Sequence, residues 1–118
     1  MLHVLKYNGL EIAKNVELAT SLLDQMLGLM FRKSLPPEFA MIFVMNRPMP
    51  VNIHMLFMRF PIDVVFLNEE KKITGLLRLN PWTGYKAVKN VKYVIEMNAG
   101  AIERFRLSIG GKIDFGDI

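Results

Sequence analysis

The sequence has no cysteine. That excludes a disulfide framework, a thiolate zinc site and a cysteine nucleophile. Histidine is scarce, with only His3 and His54. No His-x-His or His-Glu-x-x-His spacing exists, so no metal site and no cofactor are expected. Long apolar runs are also missing. The richest stretch, residues 40–45, falls far short of the roughly 18 residues a spanning helix needs. Met1-Leu2-His3-Val4-Leu5-Lys6 lacks a basic region followed by an apolar one, the pattern of an export signal. The expectation is therefore a cytoplasmic protein that makes no membrane contact. Ser21, Ser34 and Ser108 stand outside any Gly-x-Ser-x-Gly elbow, which argues against a serine hydrolase. Gly110-Gly111 lacks the Lys and Ser or Thr that follow in a phosphate-cradling loop.

What is present describes one ordered unit. Residues 1–118 match the length of a single domain. Hydrophobic residues make up 52% and charged residues 22%, which rules out intrinsic disorder. Nine methionines, most of them in the first half, read as adaptable core filler. The net charge of +4 favours solubility without defining a partner.

The pattern along the chain is mostly that of strands. Asn8-Gly9 separates residues 2–7 from 10–18, and Asn-Gly is the preferred two-residue hairpin turn. Leu10, Ile12, Val16 and Leu18 alternate with polar or small residues, and Lys14 predicts a bend or bulge. Thr20 or Ser21 can cap a short helix that ends at Gly28. Residues 40–45 read as a strand buried on both faces, ended by Pro48 and Pro50. Further strands are expected at 51–56, 64–67, 73–79 and 91–97, with a loop over 80–88. Asn98 is placed to cap a second helix over 100–106, and a last strand is expected over 112–115. Many short strands with two short α-helices predict a mainly β fold, a compact β-sandwich or small barrel.

Three segments carry a resemblance to a known family. They are Gln25-Met26-Leu27-Gly28-Leu29-Met30-Phe31-Arg32, Pro61-Ile62-Asp63-Val64-Val65-Phe66-Leu67-Asn68 and Tyr93-Val94-Ile95-Glu96-Met97-Asn98-Ala99-Gly100. In order and spacing the chain resembles the domain-of-unknown-function family 192. The resemblance implies a compact, mainly β fold and no particular activity. Leu27 departs from the polar residue usual in that family. His54-Met55-Leu56-Phe57-Met58 replaces its Trp-Met-Lys-Asn-Thr, so no role for that Lys or Thr carries over.

Candidate chemistry centres on Asp63, between Pro61-Ile62 and an apolar run. A carboxylate there either accepts backbone N–H bonds at a turn or faces a pocket as a binding group. As an ion it needs partners, because stranding it in a core costs several kcal/mol. Arg59 lies close enough in sequence to be one. His54 titrates near neutral pH and can act as base or ligand; its alternative is plain packing. Glu96 shares a strand face with Lys92 and Val94, as a surface charge or as part of a site. A carboxylate pair of Asp63 with Glu96, or a metal held by His54, Asp63 and Glu96, requires these groups to converge in space.

Residues 71–95 hold six basic residues and no acid, with Trp82, Tyr85 and Tyr93 interleaved. Cations with exposed aromatic rings can hold single-stranded nucleic acid. Arg78, Lys86, Lys89 and Lys92 would make the phosphate contacts; the alternative is a solvated basic face. The leading expectation is a non-enzymatic binding module for a small polar ligand or peptide, with His54, Arg59, Asp63, Trp82 and Glu96 at its site. An enzyme using Asp63 and His54 as acid and base is the second reading, and a weak nucleic-acid binder is the third. A small molecule or a protein is the expected partner, and the sequence allows a monomer or a homodimer.

Overall fold

The computed structural model describes residues 4–19, 34–54, 60–80 and 85–116. Eight strands and one short helix follow one another among them. In chain order they are β1 (Leu5–Tyr7), β2 (Leu10–Ala13), β3 (Asn15–Ala19), β4 (Phe39–His54), β5 (Ile62–Leu67), β6 (Ile73–Leu79), β7 (Tyr85–Asn98), α1 (Ala101–Arg104) and β8 (Ile113–Asp114). The helix expected near residues 20–28 lies outside the described residues.

The strands form two sheets, ordered β2-β1-β8 and β3-β4-β7-β5-β6. Asn8 and Gly9 both take positive φ and turn β1 into β2, as the Asn-Gly pair predicts. The strand expected over 10–18 breaks at Lys14. There the chain leaves one sheet for the other, and β3 runs parallel to β4. The Lys14 and Asn15 N–H groups both donate to the Glu38 carbonyl at 3.0 Å, which fixes this corner. On the other side, Lys72 bridges Lys112, and Ile73 exchanges backbone bonds with Gly110 and Gly111. Joined at both sides, the two sheets make a partly closed barrel.

Two apolar clusters occupy the two faces of the larger sheet. The interior cluster draws on both sheets, with Leu5, Ile12, Ile42, Val65, Leu67, Ile95 and Ile113 among its members. Leu107 and Ala101 extend it to the end that α1 closes. The second cluster, with Phe39, Met41, Phe43, Val64, Phe66 and Val94, lies on the opposite face of the five-stranded sheet. Strand residues alternate between faces, so β4 and β5 are buried on both sides and read as continuous apolar runs.

Several local expectations change. Pro48 and Pro50 do not end a strand, because β4 continues to His54 and takes in residues 51–54 of the separate strand expected at 51–56, whose last two residues lie outside the described residues. Its pairing with β7 slips between Val44 and Met49 and again before Val51. Proline has no N–H to give a ladder, so it is tolerated where the ladder is interrupted. Residues 85–88, expected in a loop, begin β7 and pair with 51–54. The helix is shorter than expected, and its N-cap is Gly100 at φ 101° instead of Asn98. Asn98 instead donates its side-chain N–H to the Pro36 carbonyl at 2.8 Å.

The closeness of the second seam sets a test. A Cβ on Gly111 would lie 2.5 Å from the Tyr7 hydroxyl and 2.6 Å from its ring. Tyr7 is buried, and the Gly111 carbonyl accepts from Ile73 N–H at 2.7 Å, so neither side can withdraw freely. Gly111→Ala is expected to cost about 1–3 kcal/mol through this overlap. Urea unfolding measures it, and an unchanged midpoint would show that the seam can open.

Candidate ligand-binding site

Asp63 is the second residue of β5 and has no exposed surface. It stands opposite Arg78 on β6 and Met97 on β7. The Arg78 fork reaches it with two bonds, Nε to Oδ1 at 2.8 Å and Nη2 to Oδ2 at 3.2 Å. Oδ2 also accepts the backbone N–H groups of Gly100 at 3.0 Å and Ile102 at 2.9 Å. A helix start leaves such N–H groups without intrahelical partners, and a carboxylate is the strongest acceptor for them. Asp63 therefore ties α1 to the end of the barrel. Gly100 is needed at this turn because its left-handed φ is strained for residues with a side chain.

Arg78 also donates to Glu103 Oε2 at 2.6 Å. Hydrogen bonds to Asp63, and then to Glu103, raise the guanidinium above its ordinary range. The Glu103 pair is exposed and adds little. The Asp63 partner is thus Arg78, one strand away, while Arg59 lies outside the described residues.

Glu96 is buried, which corrects its reading as a surface charge. It pairs with Met41 on one side and Val64 on the other. Paired residues share a face and successive residues alternate, so Glu96 faces the second cluster with Val64, while Asp63 points to the opposite side. The pleat separates the two carboxylates, so a catalytic pair or shared metal site between them is excluded. Among the described residues no group of His, Asp and Glu is arranged to hold a metal. His54 ends β4 opposite Tyr85. The side chain of His54, like Trp82, lies outside the described residues.

Arg78 is engaged as above. Lys92 donates from its ammonium to the carbonyls of Met45 and Asn46, where the β4 ladder slips. Lys89 is exposed, and the side chain of Lys86 lies outside the described residues. The structure therefore does not line up Arg78 and Lys92 as free phosphate contacts.

A cleft of about 180 Å³ lies beside the turn that Asp63 holds. Ile12, Phe39, Met97 and Phe105 supply apolar walls, and Glu38, Asn98 and Arg104 supply polar groups. Met97, Asn98, Ala99 and Gly100 all line it, so the third sequence signature forms one wall. Apolar walls with a few converging polar groups are the usual make-up of a small-molecule site. Sequence reasoning missed Glu38 and Arg104. Nothing local marks either one, since Glu38 follows a Pro-Pro connector and Arg104 sits in a four-residue helix.

The model of the domain-of-unknown-function family 192, described as uncharacterized ACR, matches residues 4–115. A UPF0127 protein of Pyrococcus furiosus is 38% identical over 98% of this chain and 97% of its own length. One of Pyrococcus horikoshii is 34% identical over 83% of this chain and 84% of its own. Among solved structures, a Sinorhizobium meliloti protein described as a candidate transcription regulator superposes with a TM-score of 0.80 and 26% identity, over 97% of this chain and 91% of that one. A Novosphingobium aromaticivorans protein of unknown function also gives 0.80, at 24% identity, over 97% and 84%; it shows the fold alone. The second and third resembling segments form the Asp63 anchor and a wall of the cleft, the first (25–32) lies outside the described residues, and the chain belongs to the uncharacterised family 192, the UPF0127 proteins.

Proposed function

We propose that this protein is a binding module that takes a small polar ligand, or the end of a peptide, in the cleft beside Gly100 without transforming it. The observation that carries this reading is the combination of an apolar cleft with charged groups of both signs, Glu38 and Arg104, on its rim. Asp63 acts as a positioning residue, because its bonds to Gly100 and Ile102 hold the wall in place. Its oxygens are spent on those bonds and on Arg78, which speaks against acid–base chemistry at Asp63.

The test is a thermal-shift panel on the whole chain with amino acids, sugars, nucleotides, divalent metals and a short single-stranded RNA. A ligand that binds only the native state adds about 2.7 kcal/mol at a hundredfold excess over its Kd. One small-molecule class is expected to raise the melting temperature, and Arg104→Ala is expected to remove the rise. A response to RNA alone, falling steeply with salt, would replace this reading with the nucleic-acid one. That reading draws on the description of the Sinorhizobium neighbour and on the basic 71–95 segment.

A further inference from the structure

We infer that the cleft takes a free, zwitterionic α-amino acid with an apolar side chain; this rests on reading the cleft as a binding site. Glu38 and Arg104 line the same cleft with opposite charges. Neither forms an ion pair with the other or elsewhere among the described residues. Both side chains are exposed and stand beyond pairing distance of each other, and a molecule carrying both charges would give each of them a partner. An anion alone would leave Glu38 unmatched and an amine alone would leave Arg104 unmatched. A neutral sugar would use neither charge.

Both residues are anchored through their backbones. The Glu38 carbonyl takes the N–H groups of Lys14 and Asn15, which pins that residue at the corner between the two sheets. Arg104 belongs to the helix turn tied down by Asp63, and its N–H donates to the Gly100 carbonyl at 2.9 Å. Its guanidinium lies 5.2 Å from the centre of the Phe105 ring, which restricts the fork. Asn98 is oriented by its bond to the Pro36 carbonyl, so its Oδ1 is left as an acceptor suited to an ammonium. A backbone fixed before binding lowers the freedom lost when the ligand arrives.

Size narrows the class. Ligand pockets for larger molecules run to about 300–1,000 Å³. At about 180 Å³ this cleft suits a ligand the size of an amino acid. Ile12, Phe39 and Met97 are nearly fully covered by the protein itself, so the half-buried Phe105 is the lining residue whose apolar surface an apolar side chain on the ligand would cover.

The experiment is calorimetric titration of the whole chain with L-leucine, L-methionine and L-phenylalanine. The amide and the N-acetyl derivative of the best binder follow. Each derivative removes one charge, and a charged hydrogen bond is worth about ten- to a hundredfold in affinity. At least one amino acid is expected to bind, with both derivatives weaker by tenfold or more. Arg104→Ala is expected to bring the free acid down to the level of its amide, and Glu38→Gln to the level of its N-acetyl form. Derivatives that bind as well as the parent would overturn the zwitterion while leaving the cleft as a binding site. A sugar that binds in place of any amino acid and is lost in Arg104→Ala would do the same. No binding by any class in the panel would overturn both readings.

Discussion

Replacing Asp63 with alanine is expected to lower the melting temperature by about 12 °C, from a loss of about 3 kcal/mol. The change removes the acceptor for the Gly100 and Ile102 N–H groups and breaks the fork from Arg78. Breaking a buried pair costs about 3–5 kcal/mol, and the lower end applies because the Arg78 side chain is 38% exposed and water can replace part of the loss. Asp63→Asn should fall between alanine and the natural residue. Its carbonyl oxygen can still accept the backbone N–H groups, but its amide N–H groups then face the Arg78 donors. Thermal unfolding by circular dichroism measures both. An alanine variant within about 1 kcal/mol of the natural protein would show that α1 docks without its anchor.

Phe66→Ala is expected to cost about 3–5 kcal/mol. Phe66 is almost completely buried near the end of β5 and belongs to the cluster on the outer face of the large sheet. Its ring covers Gly75 on the neighbouring strand, where an added Cβ would lie 3.1 Å from the ring edge. That contact couples the two positions. Gly75→Ala alone makes the ring give way by a few tenths of an ångström, but in the Phe66→Ala background the new methyl enters the vacated space. The double variant should therefore be less destabilised than the sum of the two single changes. Denaturant unfolding of all four proteins checks this, and strict additivity would mean that the ring does not rest on Gly75.

How much of a contact is visible in the sequence depends on how far apart its partners lie along the chain. Asn8-Gly9 acts locally, so the hairpin was legible, and so was the interruption at Lys14. β5 was legible because a strand covered on both faces is a continuous apolar run. Asp63 is conspicuous in the sequence as a carboxylate beside such a run, and its bonds to backbone N–H groups match the expected turn-capping role. Its partner was not legible. Arg59 is nearer in sequence, but strand register puts Arg78 opposite Asp63.

Glu96 makes the same point from another side. Its alternation with Val94 was visible, but burial of the face they share depends on what packs over the sheet. Arg78 and Lys92 looked like a free basic face until distant carbonyls and carboxylates came within reach of them. Glu38 and Arg104 carry no local signal because 66 positions of chain separate the corner from the helix (104 − 38).

By itself, then, the sequence determined a single mainly β domain of family 192, a hairpin start, strands buried on both faces and a carboxylate, Asp63, set into one of them. Local propensity and period-two alternation act over a few residues and need no knowledge of the rest. The tertiary structure alone decided the partly closed barrel, the partner of Asp63, the separation of Asp63 from Glu96 and the cleft between Glu38 and Arg104. Those depend on strand register and on contacts between segments far apart in the chain, where a one-residue shift turns every side chain to the other face.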